Sequence, residues 1–200
     1  MKKIVLNLLL CGVVMSCGIK DKATESLAEN FIEKATGMEM DIENIANIED
    51  QKTDMDLSWD GRDFPEAEYM TSITAIPDVL NIIIRNDELA LLVNLSSKDL
   101  KTRPLIASAK TNSEGNTVMV SVQDYVTMEK DYDQGTFMNQ DGEVRITELS
   151  KDRLTLELDV KLANPTQSEN PESWKTLKGK ITCTKPMFNS MGQNLESILD

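Results

Sequence analysis

The residues best spaced for chemistry lie in Asp54-Met55-Asp56-Leu57-Ser58-Trp59-Asp60-Gly61. In Asp56-x-Ser58-x-Asp60-Gly61, three oxygen-bearing side chains alternate before a glycine. A calcium loop opens this way: alternate oxygens converge on the ion and the glycine makes the sharp turn. The pattern then departs from that loop. Its twelfth position is Ala67, where a bidentate Glu is required, and Pro65 intrudes. Asp56, Ser58 and Asp60 are the candidate metal ligands, and a solvated acidic turn is the plainer account of them.

A second acidic run, Glu129-Lys130-Asp131-Tyr132-Asp133-Gln134-Gly135, is followed by Asp141 and Glu143. Paired carboxylates serve as acid and base in glycoside hydrolysis. A chain with 34 acidic residues produces such pairs by chance, however, and nothing marks one of them. A polar hairpin end is the simpler reading. Trp59 and Phe64, with Tyr69 nearby and Trp174 further on, are candidate ligand contacts, because exposed aromatics stack on sugars or anchor a protein partner. Loop tryptophans more commonly fold back over the edge of a core. With nine aromatic residues in all, a broad stacking platform is not expected.

What is missing narrows the chemistry further. The chain has no histidine, so Ser-His-Asp and Cys-His sites are excluded and zinc has few ligands to draw on. There is no Gly-rich phosphate loop, Ser-x-x-Lys or CxxC motif, and no cofactor is expected. The formal net charge is −13. A field of that sign repels phosphate backbones and anionic lipid heads, so no nucleic-acid partner is expected.

The N-terminus has its own logic. Lys2 and Lys3 precede the apolar stretch Ile4–Met15, and Ser16 precedes Cys17. This is the charged n-region, h-region and small residue of a secretory signal, too short for a span of about 20 apolar residues. Val14-Met15-Ser16-Cys17 resembles the lipobox of bacterial lipoproteins. That resemblance implies a diacylglycerol on the Cys17 sulfur, cleavage before Cys17 and acylation, palmitate included, of the new amine. Two or more chains hold a protein stably at a bilayer, at about 0.8 kcal/mol per buried methylene. The sorting rule of Gram-negative lipoproteins implies the outer membrane, because Gly18 rather than Asp follows the cysteine. On this reading the mature charge is −15, since two lysines leave with the leader. Cys11 is removed and Cys17 lipidated, so Cys183 is the one thiol left and no internal disulfide forms.

The elements that must position these residues read as mainly β. Residues 1–16 are the signal peptide, 17–24 the lipidated cysteine and tether, and 25–200 a single β-rich domain. Ala23–Ala35 has helical spacing, with Leu27, Phe31, Ile32 and Ala35 on one face and Gly37 beyond. Met38–Ile48 alternates weakly, as a strand. Asp50–Pro65 is polar and turn-rich and reads as an exposed loop. Val79–Arg85 and Leu89–Leu95 flank Asn86-Asp87 as a hairpin. Leu105–Lys110 and Val118–Val122 are further strands, as are Val144 and Ile146. In Leu154–Leu162, five aliphatic residues alternate with four polar ones, the pattern of an antiparallel strand with one wet face. Leu177–Thr184 is the last strand, its Cys183 turned inward, and Met187–Leu199 closes the chain as a short helix.

The spans Gly142–Leu149, Asp152–Leu162 and Leu177–Thr182 look like the tail of many small β-rich outer-membrane lipoproteins. Those typically place a glycine in the middle strand, where this chain has Leu156 and Leu158. The resemblance carries no active residue. Together these features predict an antiparallel β-sandwich or open barrel with an N-terminal helix. They also predict a non-enzymatic module binding an envelope protein or glycan partner, tethered to the membrane by acyl chains. The alternatives are a carboxylate-based glycan hydrolase and a carrier of small apolar molecules.

Overall fold

The computed structural model describes residues 40–41, 50–110 and 115–200. The signal peptide, Cys17, the tether and the expected helix Ala23–Ala35 lie outside the described residues. So does the expected strand Met38–Ile48, apart from Met40 and Asp41.

The domain is mainly β. Its strands are β1 (Met40–Asp41), β2 (Lys52–Trp59), β3 (Arg62–Asp63), β4 (Met70–Ile76), β5 (Val79–Arg85), β6 (Leu89–Ser96), β7 (Leu105–Ser108), β8 (Thr117–Asp124), β9 (Thr136–Leu149), β10 (Arg153–Ala163), β11 (Lys175–Thr184) and β12 (Met187–Met191). All belong to one open sheet, in the order β1-β12-β4-β5-β6-β8-β7-β9-β10-β11-β2-β3. Among the strands β2 to β12, pairing is antiparallel except between β12 and β4 and at a single β7–β8 pair.

Alternation explains the register. Leu154, Leu156, Leu158, Val160 and Leu162 of β10 are all buried, and they face Cys183, Ile181, Gly179, Leu177 and Lys175 across β11. Slipping this strand by one residue would put five aliphatics into water. Each such burial contributes about 1.5–3 kcal/mol. The same rule turns Leu80, Ile82 and Ile84 of β5, and Leu91, Val93 and Leu95 of β6, into the one core. The β5–β6 turn is locked by Asn86, whose Oδ1 accepts from the backbone N–H groups of Glu88 (2.9 Å) and Leu89 (2.8 Å).

Two expectations are corrected. Asp50–Pro65 is not a loop: it contains β2, the turn Asp60-Gly61 and β3. Thr53, Met55, Leu57 and Trp59 do alternate inward there, but Thr53 and Met55 are weak apolar signals beside Asp54 and Asp56. Met187–Leu199 is not a helix either. Met187–Met191 is a strand held parallel to β4, and only Leu195–Ser197 makes a single 3₁₀ turn. The acidic run near Glu129 does close a hairpin, that of β8 with β9, and adds detail to it. It holds two one-turn helices, α1 (Tyr125–Met128) and α2 (Tyr132–Gly135), capped by Asp124 and Asp131. No helix among the described residues is long and apolar enough to cross a membrane.

Candidate functional site

Strand β2 carries three of the candidate residues, Asp56, Ser58 and Trp59, and its pleat sends them to opposite faces. Asp56 and Ser58 point outward; Trp59 points inward at the strand's end; Asp60 sits in the turn at a left-handed φ of 50°. Along an extended strand, alternate residues stand about 6.6–6.8 Å apart. Asp56 and Ser58 therefore do not converge as they would in a calcium loop. Among the described residues, no group of three or more acidic or cysteine side chains is arranged to hold a metal ion.

Asp56 belongs instead to a shallow, open hollow on the outer wall of β9, β10, β11 and β2, shared with Glu143, Arg145, Glu157, Asp159 and Lys180. Register builds it. Arg145 pairs with Glu157, Glu157 with Lys180 and Lys180 with Asp56, so charge alternates across four strands. One row along, Lys178 Nζ lies 2.6 Å from Asp159 Oδ2. The floor is backbone at Gly179, whose φ is +142°; a Cβ there would come within 2.1 Å of the Asp56 carbonyl oxygen. Glycine thus lets β2 and β11 approach closely enough to make the hollow.

The aromatic residues gather at one end of the sheet. Trp59 meets Phe137 edge-on (centroids 5.1 Å apart) and lies 6.5 Å from Phe64, which lies 6.4 Å from Tyr69. Lys175 Nζ stands over Phe137 at 5.2 Å and over Trp59 at 6.0 Å, a cation–π arrangement. Phe64 and Tyr69 are buried and Trp59 packs against the core. Tyr69 donates its hydroxyl to the Pro65 carbonyl (3.0 Å). Burial, and then the nearby Glu88 carboxylate, push its phenol above the usual range. The structure brings Trp59 and Phe64 together, with Phe137 as a partner that the sequence did not single out. Trp174 is held separately in its own loop, its Nε1 donating to Ser168 O at 3.1 Å.

Cys183 is fully buried. Thr53 Oγ1 donates to its Sγ at 3.5 Å, and burial pushes the thiol above its usual range. The two shifted carboxylates move the other way. Asp99 is lowered by hydrogen bonds from Thr102 and Lys101, and Asp50 by Lys185, whose Nζ is 2.8 Å away. No protein-family model, curated protein or solved structure matches this chain.

Proposed function

We propose that the chain is an acylated outer-membrane lipoprotein, held through Cys17, whose β domain is a non-enzymatic binding module for a protein or glycan of the envelope. The observation that carries the binding reading is the outer wall of β9, β10, β11 and β2. It is open, built on regular strands and lined by charges matched across them, and rigid elements of this kind suit surface recognition. A glycan hydrolase needs two carboxylates about 5–10 Å apart across a cleft, with one held protonated. The carboxylates of the hollow stand instead on an open strand wall, Asp56 and Glu157 each opposite Lys180 and Asp159 opposite Lys178.

A carrier needs room inside. The inward residues of β10 are instead packed with those of β5, β6 and β11 in one core. The barrel form of the sheet is part of this proposal. It is supported by the hydrogen bond between Thr53 Oγ1 of β2 and Thr71 Oγ1 of β4 (2.8 Å), which joins strands near opposite edges of the sheet.

Phase partitioning of the full chain expressed in a Gram-negative host tests the anchor. The protein enters the detergent phase and the outer-membrane fraction, and Cys17→Ser moves it to the aqueous phase. Recovery of the unaltered chain in the aqueous phase would overturn the anchor. Release of reducing ends from envelope glycans would overturn the non-enzymatic reading.

A further inference from the structure

We infer that the end of the sheet formed by residues 60–69, 86–88, 125–135 and 164–174 is a docking surface for a basic, amphipathic polypeptide segment. This deepens the binding-module reading and rests on it. Register places these four segments together: they follow or join the pairs Trp59–Arg62, Arg85–Ala90, Gln123–Thr136 and Leu162–Lys175.

The first observation is charge. The four segments hold eleven acidic residues, all exposed, against two basic ones, Arg62 and Lys130. At the opposite end, segments 77–78, 97–104, 150–152 and 185–186, with Asp50, Glu196 and Asp200 beside them, hold five basic residues against six acidic. Among the described residues, negative charge is therefore concentrated at the first end, −9 against −1. Such a field steers a cationic partner to that end and repels anionic lipid heads.

The second observation is apolar surface on that same end. Tyr132 is 61% exposed and Val126 is 49% exposed, on the two one-turn helices. Neither α1 nor α2 buries a side chain; Gly135 is their one buried residue. Val126 and Tyr132 thus leave about half or more of their surface to solvent.

The third is that the display is fixed before any partner arrives. Asp124 accepts from the Thr127 N–H (3.0 Å) and hydroxyl (2.8 Å), and Asp131 accepts from the Asp133 N–H (3.1 Å). Asn164, itself buried, donates to the carbonyls of Asp133 and Thr136 and ties this connection to the 164–174 loop. A Cβ on Gly135 would come within 2.4 Å of Met128 Cγ, so the two short helices are in close contact. A surface already ordered loses little entropy on binding. Acid around the exposed Tyr132 and Val126 fits Lys and Arg flanking an apolar anchor.

Fluorescence anisotropy of the full chain in detergent, with a labelled peptide of Lys, Leu and Trp in amphipathic order, tests this. The peptide binds at least about tenfold more tightly than an oligolysine of equal charge. Tyr132→Ser with Val126→Ser removes that advantage, and Glu129→Lys with Glu169→Lys weakens binding of both peptides. Lys98→Glu at the opposite end leaves binding unchanged. Binding that persists in both tip variants overturns the assignment while leaving a binding module elsewhere on the domain. Equal affinity for oligolysine reduces the surface to bulk charge and also overturns it. So do failure of either peptide to bind and a tip variant that alters only self-association. None of these outcomes touches the Cys17 anchor, which partitioning reads separately.

Discussion

The carboxamide of Gln51 pairs with both backbone groups of Thr71: its Nε2 donates to Thr71 O at 2.8 Å, and Thr71 N–H donates to its Oε1 at 2.6 Å. Gln51 precedes β2 and Thr71 lies in β4, strands that share no ladder in the sheet. A side chain here does the work of one backbone rung, and the Thr53–Thr71 hydroxyl contact continues it.

Removing that rung leaves a buried residue, Thr71, with two backbone groups lacking this partner. Gln51→Ala is expected to destabilise the domain by about 1–3 kcal/mol, the cost of unsatisfied buried polar groups. Gln51→Glu keeps the acceptor, loses the donor and sets a carboxylate beside the Thr71 carbonyl, so it is expected to be no better than Ala at neutral pH. Urea unfolding distinguishes these outcomes; an unchanged midpoint for both variants would mean that the rung contributes nothing.

Arg103 forms the corresponding tie near residue 200. Its side chain is 12% exposed, its Nε is 3.2 Å from Asp200 Oδ1, and its two Nη groups donate to Leu100 O and Ile198 O, both at 2.7 Å. The Nε–Oδ1 contact is an ion pair without good hydrogen-bond alignment. Burial lowers the guanidinium pKa, and Asp200 and then Asp99 oppose that. Asp200 is itself partly solvated, which reduces the value of the pair below that of a fully buried one. Asp200→Asn should therefore cost about 1–2 kcal/mol. Arg103→Met should cost more, because it strands two carbonyls as well. Thermal melts of the two variants should rank in that order.

The sequence made the sheet legible wherever one face was strongly aliphatic. β5, β6 and β10 follow from Ile82, Val93 and Leu156 and their alternating neighbours, because burying each of those rows fixes both period and register. β2 was hidden because its inward row, Thr53-Met55-Leu57-Trp59, begins with a hydroxyl that bonds Thr71 and Cys183 instead of filling core. β4, which alternates Thr71-Ile73-Ala75, was missed for the same reason. Of the candidate site, the pairing of Trp59 with Phe64 follows from their closeness in sequence, but Phe137 reaches them only through the long-range pairing of β9. The acidic end was legible only as scattered acids, since four connections from distant parts of the chain build it.

Calcium gives a direct test of β2. Asp56 and Ser58 stand on a regular strand, and Asp56 is matched with Lys180 across the ladder. Millimolar calcium is expected to leave the melting temperature within a degree of its value in EDTA, and Asp56→Ala with Asp60→Ala should not change that. A site with Kd near 10 µM would instead add about 2.7 kcal/mol at 1 mM, a shift of several degrees.

Cys183 contributes a pH dependence on the alkaline side whose direction follows from its burial. Burial raises its thiol pKa, with the Thr53 hydroxyl opposing, so the folded state holds this proton more tightly than the unfolded chain does. The resulting stability is fully present below the unfolded thiol pKa of about 8.5 and is lost as pH rises through the folded value. Two measurements follow. At pH 8 the native thiol should react with a disulfide reagent at least about a hundredfold more slowly than in denaturant, as expected for a buried, protonated group. Between pH 8 and 10 the unaltered chain should lose more stability than Cys183→Val, whose own cost at pH 7 should stay near 1 kcal/mol because valine conserves most of the buried volume. Parallel pH profiles for the two chains would show that Cys183 is not the group responsible.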